Sequence, residues 1–158
     1  MKRLWKDLSV KRLKQMFFIW LSNVLPLRGY SRYKFVRLGG VNIKGKAYIY
    51  RNVYFDSVAP NLITIEDNVT ITITQGATIL THYLDPNQEG RHYRLGEVKI
   101  EKDAFIGCNV IICNSVTIGR GSIIGAGSVV TKDIPPYQVW AGNPARYIKD
   151  RCKNNVYE

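Results

Sequence analysis

The chain of 158 residues has only two histidines, His82 and His92, and three cysteines, Cys108, Cys113 and Cys152. No CxxC pair occurs, so neither a disulfide framework nor a zinc-finger ligand set is expected, and the thiols read as the reduced cysteines of a cytosolic protein. Two histidines are too few for a zinc site built on three imidazoles. Long apolar runs are missing as well. The stretch "MFFIW" at 16–20 falls far short of the about 20 residues that span a bilayer. Basic residues precede it, as in a secretory leader, but "LPLRGYSR" follows with no small-x-small cleavage pattern, so a cleaved leader is not expected. Acidic residues are scarce, 12 against 23 Lys and Arg, for a net charge of +11. Ten of those cations lie in residues 1–37 beside the single acid Asp7, so +9 of the +11 belongs to the N-terminal segment. No recognition-helix, RNP-like or zinc-finger pattern accompanies that charge, and nucleic acid is not the expected partner. A Gly-rich βαβ unit, the mark of a nucleotide-binding domain, is absent too. The hydrophobic share of 46% with 22% charged residues excludes disorder, and the length suits one domain with its own core.

What is present begins with a helix expected over residues 9–25. Leu13, Met16, Phe17, Trp20, Leu21 and Val24 form an i, i+3, i+4 stripe, Ser9 can cap the start, and Pro26 stops it. Such a helix either packs on the domain or a neighbouring subunit, or lies on an anionic membrane surface, which makes residues 1–25 a candidate peripheral membrane contact.

From residue 43 onward a period of six appears. Ile43, Ile49 and Phe55 form one block, Ile65, Ile71 and Ala77 a weaker second, and Ile100, Ile106, Ile112, Ile118, Ile124 and Val130 a third. Val110, Val116, Ser122 and Ser128 recur four places after ladder positions of the third block, and Gly107, Gly119 and Gly125 directly follow three of them. Helices need a spacing near 3.6 and isolated strands a spacing of 2. A spacing of six suits a coil with three flat faces, each a short strand and a tight corner. The branched residue points into a prism-shaped core, and the small residue beside it lets corners approach closely. Successive coils stack at about 4.8 Å, which makes a parallel β-helix whose hand the spacing does not give. Extra residues between blocks map to loops leaving the array. One is "DSVAPNLIT"; the other, "THYLDPNQEGRHYRLGE", carries both histidines. The expected organisation is a basic helical segment 1–38, a β-helix 39–135 with an insertion loop at about 83–97, and a C-terminal cap and tail 136–158.

The hexads, "THYLD" before the second insertion, and "GAGSVVTKDIPPY" followed by "AGNPAR" together resemble the hexapeptide-repeat acyltransferases, most of all the maltose and galactoside O-acetyltransferases. The N-terminal segment resembles, more loosely, acetyltransferases of surface-polysaccharide pathways. The resemblance covers roughly residues 40–150. It implies an all-β, left-handed parallel β-helix with an N-terminal α-helix and a protruding loop. It also implies a cytoplasmic homotrimer with active sites between subunits, which acts at the inner membrane face if the N-terminal helix binds lipid. Acetyl-CoA would be the co-substrate, no metal would be needed, and a sugar or saccharide hydroxyl would accept the acetyl group. His82 is implied as the general base, a role that suits an imidazole near neutral pH.

Asp56, Asp85 and His92 are then acceptor-side candidates. Asp85 could also orient the imidazole or, before Pro86, serve as turn chemistry. For the coenzyme the resemblance nominates Phe105 as an aromatic wall, Cys108 and Ala126 for backbone bonds to the pantetheine amides, and Thr131, Lys132, Arg146 and Lys149 for the phosphates. The alternative for these cations is a basic end-cap of the last coil. Trp140 departs from the smaller residues common at its place in the family. Two other functions share the scaffold: N-acetylation of an amino (nucleotide) sugar, and a non-catalytic structural subunit. The γ-class carbonic anhydrases, which also use this helix, would need three histidine positions.

Overall fold

A branched residue every sixth place becomes an inward ladder when each hexad supplies one strand and one corner, and the computed structural model of the protein has this arrangement. It describes residues 9–72 and 76–151; Cys152, the rest of the tail and residues 1–8 of the basic segment lie outside the described residues. The chain runs through α1 (Val10–Val24) and α2 (Gly29–Leu38) into the coils. The first coil is β1 (Asn42–Ile43), β2 (Ala47–Ile49) and β3 (Tyr54–Phe55), and the second is β4 (Ile63–Ile65), β5 (Val69–Ile71) and β6 (Thr78–Ile79). A hairpin of β7 (His82–Leu84) and β8 (Tyr93–Leu95) follows. The third coil is β9 (Val98–Ile100), β10 (Phe105–Ile106) and β11 (Ile111–Ile112), and the fourth is β12 (Val116–Ile118), β13 (Ile123–Ile124) and β14 (Val129–Val130). β15 (Gln138–Ala141) and the antiparallel β16 (Arg146–Asp150) close the array.

Strands stack in parallel into three faces. The first holds β1, β4, β9 and β12; the second β2, β5, β10, β13, β15 and β16; the third β3, β6, β11 and β14. Cα partners run Ile43–Ile65–Ile100–Ile118–Ile134 on the first face. They run Ile49–Ile71–Ile106–Ile124–Trp140 on the second and Phe55–Ile79–Ile112–Val130 on the third. All of these side chains are buried. Burying each isoleucine contributes about 1.5–3 kcal/mol, so the stacked ladders are the main source of stability. Trp140 tops its ladder, closing the core at the C-terminal end rather than facing outward. Close corner approach requires glycine: a Cβ on Gly107 would stand 2.7 Å from the Ala126 nitrogen, and one on Gly119 would stand 2.5 Å from the Pro136 nitrogen. Ser122 and Ser128, at the second-row positions, are buried with their hydroxyls donating to the Pro135 and Gly125 carbonyls.

Two expectations change. In the second block the third ladder residue is Ile79, not Ala77, because the corner between β5 and β6 holds two extra residues. Ala77 instead takes the buried second-row position two residues before the ladder, the place Val110 and Ser128 hold in later coils, its carbonyl accepting from the Tyr54 N–H. The N-terminal segment also contains two helices rather than one. α1 keeps the expected bounds, with the Ser9 hydroxyl accepting from the Arg12 N–H. α2 follows Pro26, with Tyr33 and Val36 buried and Gly29 set against the Tyr50 ring. Arg32 of α2 is not a surface cation but is buried, its Nη2 donating to the Leu27 carbonyl at 2.8 Å. Burial, with Arg51 nearby, lowers its guanidinium pKa.

Candidate active site

Both insertions leave the array at the edge where the third face turns into the first, one coil apart. Phe55 and Ile79 are ladder partners, so Asp56 and the Leu80–Thr81–His82 step emerge one above the other. The Asp56 N–H donates to the Ile79 carbonyl at 3.1 Å and completes that stacking. Translation by one coil thus delivers a carboxylate to an imidazole from 26 residues away. Asp56 Oδ2 lies 2.5 Å from His82 Nδ1 and accepts from the Thr81 N–H and hydroxyl, each at 2.8 Å. Oδ1 accepts from the Val58 N–H at 3.0 Å. The carboxylate is wholly buried, whereas the His82 side chain keeps 29% of its surface exposed. Burial pushes the Asp56 carboxyl upward, but hydrogen bonds from Val58, Thr81 and His82 outweigh it and hold the group below the ordinary carboxylate range. A carboxylate on Nδ1 selects the tautomer with the proton there and leaves Nε2 as the free acceptor. The arrangement can therefore take a proton at Nε2 of a partly exposed ring, with the Asp56 carboxylate against its other nitrogen.

The other acceptor-side residues are placed differently from one another. Asp56 does not face solvent as an acceptor contact; its oxygens are committed to His82, Thr81 and Val58. Asp85 is buried and does not touch the imidazole. Its Oδ1 accepts from the Asn87 N–H and its Oδ2 from Arg94 Nε at 2.7 Å, contacts that hold the carboxyl below its usual range and tie the hairpin together. His92 is exposed near the hairpin tip, and its carbonyl accepts from the Asp85 N–H.

A neighbour of the imidazole absent from the sequence expectations is Tyr93, whose ring centroid lies 5.7 Å from that of His82. The hairpin register pairs His82 with Leu95 and Leu84 with Tyr93, so these four share one face, while Tyr83 and Arg94 share the other. The alternating "HYL" and "YRL" runs around the polar stretch 85–92 carried that signal.

Of the coenzyme candidates, Thr131 and Lys132 are exposed on the same edge as His82, two coils further on. Lys132 Nζ sits 5.1 Å from the centre of the Trp140 ring. Cys108 and Ala126 occupy a different edge, where the second face turns into the third; the Gly127 N–H donates to the Cys108 carbonyl at 2.8 Å and links their corners. Phe105 is half-buried on β10 of the second face, and exposed Arg146 and Lys149 lie on β16 at its end. A single chain therefore brings Asp56, Thr81 and His82 together, and the third face separates them from Cys108 and Ala126. Among the described residues, no group of three His, Cys, Asp or Glu side chains is placed to hold a metal ion.

Residues 97–132 match the family model of the bacterial transferase hexapeptide, described as six repeats. The galactoside O-acetyltransferase of Escherichia coli is 38% identical over 124 residues, covering 75% of this chain and 61% of the relative. The chain spans about half to three-fifths of the length of the curated relatives it matches. Among solved structures, a hexapeptide-repeat acetyltransferase of Vibrio cholerae complexed with acetyl coenzyme A superposes with a TM-score of 0.73 at 26% identity, covering 90% of this chain and 87% of the other. A galactoside acetyltransferase in complex with coenzyme A gives 0.69 at 26% identity, with coverage of 96% and 90%.

Proposed function

We propose that this chain, which belongs to the bacterial hexapeptide-repeat transferases, is an acetyl-CoA-dependent acetyltransferase that moves the acetyl group onto a hydroxyl of a sugar or saccharide precursor. The observation that carries the reading is the buried Asp56 on Nδ1 of a partly exposed His82, at the insertion edge of the coil array. His82 Nε2 takes the acceptor hydroxyl proton as that oxygen attacks the thioester carbonyl carbon. The tetrahedral intermediate collapses with cleavage of the C–S bond. The coenzyme thiolate leaves and receives the proton from the imidazolium, so neither an acyl-enzyme nor a metal is required. Asp56 keeps the imidazole in orientation and offsets its charge while it carries the proton.

Coenzyme A would lie along the Cys108 and Ala126 edge. Backbone groups there would meet the pantetheine, Phe105 would flank it, Arg146 and Lys149 would meet the phosphates, and Thr131 and Lys132 would reach them from the His82 edge of the adjoining copy. Since that edge and the His82 edge are separated by a whole face of one chain, a groove between two copies would complete the site. The reading thus includes a homotrimer of left-handed coils with three shared sites, as the family resemblance implies. Asp85 and His92 would shape the acceptor end through the hairpin, and catalysis would belong in the cytoplasm, where acetyl-CoA is made.

Thiol release from acetyl-CoA, measured across sugars, nucleotide sugars and lipid-linked sugars, tests the reading. The expected result is turnover with a saccharide hydroxyl acceptor that His82→Ala abolishes, while acetyl-CoA binding by calorimetry persists. Undiminished turnover in His82→Ala refutes the mechanism, and a chain that fails to bind acetyl-CoA refutes the activity.

A further inference from the structure

α1 has two unlike faces. One is fixed to the domain. Arg12 Nη2 donates to the Val58 carbonyl at 2.9 Å, the Asn52 N–H donates to Asn23 Oδ1 at 3.2 Å, Ser22 is buried, and Ile19 packs on the core. The other face presents Val10, Leu13, Met16, Phe17, Trp20 and Val24, each 49–69% exposed. At about 100° per residue these six fall within one third of the helix circumference, while the anchored set of Ser22, Gln15, Ile19, Arg12 and Asn23 occupies the adjoining third, with Ser22 opposite the middle of the stripe. Phe17 and Trp20 lie side by side, ring centroids 6.0 Å apart. A contiguous stripe of this kind on a monomeric surface marks a place where water is normally excluded.

Charge selects the occupant. The exposed Lys14 flanks the stripe about 40° beyond Val10, with exposed Lys11 further round the helix, and the segment 1–37 that contains it holds +9 of the chain's +11. A second copy of this chain would bring an equally basic segment against it. An anionic lipid surface complements it, with aromatic and aliphatic side chains entering the acyl boundary and lysines among the headgroups. No helix among the described residues is long and apolar enough to cross a membrane, and fifteen residues of α1 suit a helix lying in the surface.

We infer that the Leu13–Met16–Phe17–Trp20–Val24 face of α1 docks this protein on anionic membrane surfaces. The contact has a consequence for the proposed chemistry, on which it does not itself depend. Arg12 holds the Val58 carbonyl, and the Val58 N–H holds Asp56 Oδ1, so the docked helix adjoins the loop that carries the His82 partner. Docking thus holds the His82 edge close to the bilayer, where a saccharide on a lipid carrier would be presented.

Sedimentation of the full chain with phosphatidylcholine vesicles, with and without phosphatidylglycerol, tests docking without reference to activity. Partition onto the anionic vesicles is expected, weakened by salt. Phe17→Ser with Trp20→Ser should reduce it roughly tenfold or more, since each ring loses most of its transfer free energy. Lys14→Gln should reduce it about fivefold on anionic vesicles, Lys11→Gln less, and both should leave binding to neutral ones unchanged. Mass measured by light scattering should be the same for the wild type and all variants. Absence of partition by the wild type overturns the inference. So does a drop in oligomer mass on Phe17→Ser/Trp20→Ser, which would assign the stripe to a second copy. The lysine variants keep the test decisive if the double serine variant misfolds.

Discussion

Replacing Asp56 by asparagine keeps the side-chain shape and removes one charge, and the surrounding geometry fixes what is lost. Both oxygens act as acceptors: Oδ1 from the Val58 N–H, and Oδ2 from the Thr81 N–H, the Thr81 hydroxyl and His82 Nδ1. An amide has only one oxygen. Its milder orientation keeps that oxygen at the Oδ2 position and sets the NH2 against the Val58 N–H, which leaves a buried donor unpaired at a cost of about 1–3 kcal/mol. Against this, the desolvation of a buried charge is relieved, so the net loss of folding stability should fall at or below that range. Catalysis has no such offset. The imidazolium formed during proton transfer loses a charge-assisted bond of about 1.5–3 kcal/mol, equivalent to roughly a tenfold to hundredfold fall in kcat. The KM for acetyl-CoA should hold steady, because Asp56 is buried and makes none of the proposed coenzyme contacts: Cys108 and Ala126 lie on another edge, and Thr131 and Lys132 two coils from His82. Steady-state thiol release with a saccharide acceptor reads the rate, and urea unfolding reads the stability. A variant that keeps full kcat with its fold intact would refute the assignment of Asp56 as the positioning residue for His82.

The ladders and the carboxylates give two more expectations. Ile112→Ala removes a wholly buried ladder side chain between Ile79 and Val130 and should cost about 2–5 kcal/mol by urea unfolding; a smaller loss would mean that the coils relax to fill the space. Acidification should destabilise the fold. Asp56, Asp85 and Glu101 all have lowered values when folded, so their contribution is complete above the unfolded value of about 4 and is lost as pH falls through the lowered values, where the unfolded chain binds more protons. The urea midpoint should drop through that acid window, less steeply in Asp56→Asn, and an identical slope in the two proteins would mean that Asp56 makes no contribution.

Hexads made the coils legible because a three-faced prism repeats one environment every six residues, and Ile100 to Val130 obey it without a break. Ala77 passes for a ladder residue in the sequence because the buried second row also takes small apolar side chains, and two extra corner residues move the true ladder position to Ile79 without any mark in composition. α2 escaped notice because its packing rests on Tyr33 and Val36 against the first coil, too few apolar positions in ten residues for a periodic stripe. Nothing in the sequence sets Arg32 apart from the other cations of residues 1–37, because its burial depends on tertiary packing alone. His82, the proposed base, is singled out in the sequence by the insertion and the family resemblance. Its partner is not, since Asp56 looks like a solvated loop acid until Phe55 and Ile79 are known to be stacked.

That stacking also explains why the site stands where it does. Within a face, side chains alternate strictly in and out, so an added residue would turn every later ladder position outward. An edge has no such register to protect, and extra residues there leave the coils above and below in phase. Two insertions at one edge, a single coil apart, are therefore the cheapest way for this architecture to set functional groups from distant segments against each other. The geometry between them comes from the strand spacing, about 4.8 Å, which a side-chain carboxylate and an imidazole can bridge. Moving either insertion to another edge would leave the hexads intact and separate Asp56 from His82, so the pairing depends on where the repeat is interrupted, not on the repeat itself.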